Sequence, residues 1–123
     1  MKTILLIASA IVLATGSAAT ASEINGVWAR GDGKAKVRIA KCGGDICATN
    51  TWIKPGTPDE KAGDVLVMKV QKVSGAQYSG SAFDPQRDRT YRITLDVAGN
   101  RMTTTGCVLG GLLCKGVDWT RIN

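Results

Sequence analysis

From Gly26 onward, apolar and polar residues alternate with a period of two, and the runs are broken by glycine, proline and aspartate. No stretch of this region sustains a helical period. The pattern predicts eight short strands over residues 26–30, 34–41, a third leaving the 42–47 segment and running through 54, then 65–73, 78–83, 89–97, 101–107 and 115–122. In the second, Ala35, Val37 and Ile39 share one face and Lys34, Lys36 and Arg38 the other, as a sheet with one wet side requires. The same alternation turns Ile46, Ala48, Asn50 and Trp52 inward, then Leu66, Met68 and Val70, then Tyr91, Ile93, Leu95 and Val97. Residues 55–64, with two prolines and a glycine, form the longest irregular stretch. Eight antiparallel strands joined by short turns make a meander, and the expected fold is all-β: a small up-and-down barrel whose interior is either filled by side chains or holds one small ligand. A two-sheet sandwich has the same alternation and is the alternative.

Four cysteines sit in pairs about glycine-containing turns, in Cys42-Gly43-Gly44-Asp45-Ile46-Cys47 and in Cys107-Val108-Leu109-Gly110-Gly111-Leu112-Leu113-Cys114. Folding the first at Gly44-Asp45 sets Cys42 opposite Cys47 with Cα atoms about 4.5 Å apart, and folding the second at Gly110-Gly111 sets Cys107 opposite Cys114 at about 5.5 Å. Both spacings suit a disulfide. Neither pair is C-x-x-C, no helix start lies beside them to lower a thiol pKa, and the chain has no histidine, so structural bridges are expected over redox or metal chemistry. Crossed connectivity between the pairs stays open at this level.

Lys2, the apolar run 4–13 and Ala19-Thr20-Ala21 read as a secretory signal cleaved after Ala21. The run is too short to span a bilayer, and none later approaches the ~20 residues required. Residues 22–123 then form one domain in an oxidising compartment, the periplasm, where disulfides persist. With Lys2 gone, 15 basic side chains face 10 acidic ones. Outside the cytoplasm a cationic surface meets phospholipid headgroups and other envelope polyanions rather than nucleic acid, although scattered charge also serves solubility alone.

Without histidine the usual general base is missing, so serine-hydrolase and histidine–metal schemes are excluded and no cofactor or metal site is expected. Asp59, Glu60, Asp84 and Asp88 lie in loops and turns, where aspartate favours local backbone hydrogen bonds. Trp28, Trp52, Tyr91 and Trp119 fall in strands, as core or as the lining of a ligand pocket. Trp28 on the first strand and Arg121 on the last are placed to stack when the barrel closes. The tip containing Leu109, Leu112 and Leu113 is apolar where turns are normally polar. It is expected to plug the open end; the alternative exposes it to a partner or membrane, with Arg101 and Lys115 nearby.

Gly26-Val27-Trp28, Val37-Arg38-Ile39 leading into Cys42–Cys47, Trp52, Phe83-Asp84-Pro85 through Tyr91, and Gly106-Cys107 running to Trp119-Thr120-Arg121 together resemble the bacterial exported family called domain of unknown function 2147. The chain departs from that pattern at Arg87-Asp88, where the family usually carries a glycine. The resemblance implies a lipocalin-like periplasmic barrel, and it implies no reaction. The expected role is non-enzymatic binding of a small apolar or lipid-like ligand through Trp28, Trp52, Tyr91 and Trp119. The alternative is an envelope module that meets an anionic surface through Lys34, Lys36 and Arg38 or through the leucine tip. A hydrolase inhibitor is disfavoured, because cationic lysozymes would be repelled.

Overall fold

The computed structural model describes residues 23–123; the expected signal segment lies outside them. Eight strands, β1 (Gly26–Arg30), β2 (Ala35–Cys42), β3 (Asp45–Ile53), β4 (Val65–Ser74), β5 (Gln77–Asp84), β6 (Arg89–Ala98), β7 (Arg101–Val108) and β8 (Leu113–Arg121), pair in chain order and close into an antiparallel, lipocalin-like barrel. The sandwich is thereby excluded. The ring shuts where β1 meets β8, through the pairs Trp28–Arg121, Ala29–Thr120 and Arg30–Trp119.

Strand alternation puts two groups of connections at opposite ends. At the base lie the turns 43–44, 75–76 and 99–100 together with both described chain termini. At the other end lie 31–34, the long loop 54–64, the turn 85–88 and the leucine tip. The core fills the basal half: Ile24, Trp28, Val37, Ile39, Met68, Tyr78, Ile93, Leu95, Val97 and Met102 are buried together. Gly80 is required by close approach, since a Cβ there would overlap the Lys69 backbone on β4. Asp88 takes the left-handed conformation (φ 51°), a region that aspartate tolerates better than most residues.

Both disulfides form within their hairpins, Cys42–Cys47 at the base and Cys107–Cys114 at the open end. Their registers differ from the expected ones. In the first hairpin the central pair is Gly43-Gly44, with Gly43 at φ 65°, because a two-residue turn matching strand twist needs positive φ and glycine supplies it freely. Cys42 therefore faces Asp45, and the bridge crosses diagonally to Cys47 with Cα atoms 5.7 Å apart. In the second hairpin, pairing stops at Val108–Leu113. Leu109, Gly110 and Gly111 all adopt positive φ, and the four-residue tip, with a 3-10 turn at Leu109–Gly111, replaces the expected two-residue turn. Cys107 does face Cys114, at 4.1 Å.

Candidate functional site

A cavity of about 560 Å³ opens from the loop end down into the barrel. Its floor is Val37, Ile39, Met68, Ile93, Leu95 and Met102, all inward positions of their strands. Ala48, Leu66, Tyr91, Val117 and Trp119 form the middle wall, and Arg30, Glu60, Asp64, Asp84, Gln86, Arg87, Arg89 and Lys115 ring the mouth. An apolar body with a few polar groups at one end is the usual make-up of a small-molecule site.

The base is sealed by groups that converge from both chain ends. Trp28 is fully buried and donates its indole N–H to the Ile24 carbonyl (2.9 Å). The Arg121 guanidinium lies 4.3 Å from the Trp28 ring centroid and donates to the Asn25 and Glu23 carbonyls, both at 2.5 Å. Gly26 makes room for this arrangement, because a Cβ would meet Arg121 Nη1 and the Asn123 carbonyl within 3 Å. Beside it, Tyr78 donates its hydroxyl to Glu23 (3.0 Å), which also pairs with Lys72 (2.8 Å). Those two partners, Lys72 first, hold the Glu23 carboxyl below its usual range. Burial, and then the hydrogen bond to Glu23 and its charge, push Tyr78 up to about 12.

The mouth is a set of tethers on loop 54–64. Arg30 grips Glu60 with two hydrogen bonds (2.6 and 3.0 Å) and also reaches Asp32 (3.0 Å). Its guanidinium holds the Glu60 carboxyl below the ordinary range against the opposing effect of burial. Arg87 bonds Asp84 (2.9 Å) and the Asp59 carbonyl. Asn50 takes the Gly63 amide on its carbonyl (2.7 Å) and donates its own amide to the Asp64 carbonyl (2.9 Å). At Asp84 burial disfavours the charge, yet the hydrogen bonds from Arg87 and Gln86 outweigh it and keep the carboxyl low. The turn reading of Asp84 is apt: its Oδ1 accepts the amides of Gln86 and Arg87.

Of the four aromatic residues singled out as lining, Tyr91 and Trp119 border the cavity. The Trp119 indole donates to the Thr104 hydroxyl (3.0 Å), and the Tyr91 ring stands over Gly106, where any Cβ would come within 3 Å of it. Trp28 lies below, in the sealed base. Trp52 is a correction. A bulge between Lys36/Val37 and Asn50/Trp52 inserts Thr51, whose hydroxyl bonds the Lys36 carbonyl (3.2 Å), and one extra residue reverses the faces. Trp52 therefore lies outside, 39% exposed, with the Lys36 ammonium 5.4 Å from its ring centroid. Lys34, Lys36 and Arg38 all face solvent. The plug expectation is also overturned, since Leu109, Leu112 and Leu113 are 71%, 87% and 61% exposed. Lys115 is near the tip, whereas Arg101 begins β7 at the opposite end. Among the described residues no cluster of three metal-ligating side chains occurs, and no helix is long and apolar enough to cross a membrane.

A closed meander barrel, sealed at one end and open to an apolar cavity at the other, is the class this geometry defines. The chain belongs to the family described as "Uncharacterized protein conserved in bacteria (DUF2147)", which it matches over residues 26–121. Among solved structures it is similar to a redesigned β-barrel at 13% identity and a TM-score of 0.53, over 84% of this chain and 94% of that one, a likeness of fold alone. No curated protein matches it.

Proposed function

We propose that the protein is a non-enzymatic periplasmic binder of a small apolar or lipid-like molecule, which enters at the loop end and lies against Leu66, Ile93, Val117, Tyr91 and Trp119. The cavity carries this reading. At about 560 Å³ it falls within the roughly 300–1,000 Å³ of small-molecule sites. Placement in the periplasm rests on the amino-terminal signal pattern and on two bridges that an oxidising compartment preserves. Two measurements test the proposal. Native mass spectrometry of protein recovered from the periplasm should show a copurifying mass, and purified protein should enhance the fluorescence of N-phenyl-1-naphthylamine, a neutral apolar probe. Ala48→Phe, which grows a ring into the middle of the cavity, should weaken probe binding by about tenfold or more, if the probe fills the space as small ligands do. No copurifying mass together with no probe binding would overturn the reading.

A further inference from the structure

The leucine tip is the largest departure from what a hairpin end should be. Leu109 and Leu112 stand in solvent on a four-residue loop, with the exposed Leu113 at its stem, and that stem is pinned by Cys107–Cys114. That bridge ties the two strands of the stem one residue below the last pair of the hairpin. The tip is also continuous with the mouth, because Val108 and Leu113 on its stem line the cavity.

Charge distinguishes the occupants. Residues 108–115 contain no carboxylate. Below the tip, Lys115 faces the mouth, while Arg92 stands opposite Cys107 in the register and lines a shallow outer groove of about 250 Å³ with the Ser81 and Thr90 hydroxyl residues. Arg89 completes the group at the mouth. None of these three cations is in an ion pair among the described residues. On the adjoining turn Asp84 is already held by Arg87, and Glu60 by Arg30, which leaves Asp88 there and Asp59 and Asp64 on loop 54–64, a loop that also carries Lys54 and Lys61, as the opposing charges. Leu113 is two residues above Lys115 on β8, about 7 Å at strand rise, and Leu112 stands beyond it in the turn. Apolar segments of interfacial proteins are buried about 5–10 Å at the headgroup–acyl boundary. Leucines above and unpaired cations one headgroup layer below match an anionic bilayer in both depth and sign.

We infer that the disulfide-pinned tip is a bilayer anchor that docks the barrel mouth-first on anionic lipid, with Leu109 and Leu112 in the acyl boundary and Arg92 at the phosphates. Docking stands independently of the ligand; only its use in passing a molecule between bilayer and cavity rests on the function proposed above.

The test is co-sedimentation of the purified, oxidised protein with vesicles of equal parts phosphatidylglycerol and phosphatidylcholine, and with phosphatidylcholine alone. Partitioning is expected on the anionic vesicles and much weaker on the neutral ones. L109D/L112D should reduce it by about a hundredfold, as the loss of two buried leucines dictates, and R92E by about tenfold. K36E, on the far outer face, should leave it unchanged. Naphthylamine binding in solution and the unfolding midpoint should stay as in the parent, which shows that the variants fold. No partitioning of the parent, full partitioning of L109D/L112D, or K36E as damaging as R92E would overturn the anchor. So would sedimentation velocity showing that the tip instead pairs two copies of the chain, with monomers restored by L112D. Vesicle binding with neither naphthylamine binding nor a copurifying mass would sink the ligand reading and leave the anchor standing.

Discussion

Replacing Arg121 with alanine should be among the most damaging single changes outside the core. The side chain joins the last strand to the segment preceding the first, through a ring contact at 4.3 Å and two carbonyl hydrogen bonds at 2.5 Å. A cation–π contact of this kind contributes about 0.5–2 kcal/mol depending on burial. Each hydrogen bond from a charged donor adds about 1.5 kcal/mol, reduced here because Arg121 is only half-buried. Arg121→Ala should therefore cost about 3 kcal/mol, a large share of the 5–15 kcal/mol typical of a domain. For a barrel of this size that is a fall in Tm of roughly 12–24 °C. Arg121→Lys keeps a cation over the ring but cannot fork to both carbonyls, and should lose about half as much. Urea unfolding of oxidised protein, followed by the near-ultraviolet dichroism of the buried Trp28, reads both. A loss below about 1 kcal/mol for the alanine variant, or equal losses for the two, would refute the closure argument.

Three further outcomes are expected. Replacing either cysteine pair by serine should cost about 2 kcal/mol on the chain-entropy account, because each bridge closes a loop of only six or eight residues; a loss twice as large in the longer loop would count against that account. The Glu60 carboxyl is held below its ordinary range by Arg30, so its contribution is present above the unfolded pKa near 4.5 and disappears as pH falls through the lower folded value. The urea unfolding midpoint should fall over that acid range, and Glu60→Gln should flatten the fall and cost about 1 kcal/mol. Tyr78 should ionise near pH 12 in an ultraviolet titration. Its raised value stabilises the fold below the unfolded pKa near 10, an effect lost as pH rises through 12, and Glu23→Gln should lower the value only partly because burial is the larger cause.

The strands and their inward faces were legible because each inward residue repeats at every second position. Legibility failed where one residue broke that count. Thr51 adds a residue to β3, so Trp52 changes sides although nothing in Asn50-Thr51-Trp52 announces it. It failed again at Cys42, where the choice between Gly43-Gly44 and Gly44-Asp45 as the turn depends on backbone dihedrals, and two neighbouring glycines admit both. The Trp28–Arg121 stack was readable, since closing a meander brings its first and last strands together. The mouth was not, because Arg30 and Glu60 are thirty positions apart and their union depends on how loop 54–64 folds back. Gly106 could have been found as a glycine at an inward strand position, the sort of gap a ring on the next strand fills.

Each sulfur bridge ties a strand to its neighbour in sequence, so neither spans the join between β1 and β8. Seen mechanically, the molecule is a ring without a covalent clasp. Because both described ends emerge side by side at one pole, tension applied to them peels the join rung by rung, beginning at Val27 and Asn123. The indole and its guanidinium cover are next in line to bear the load.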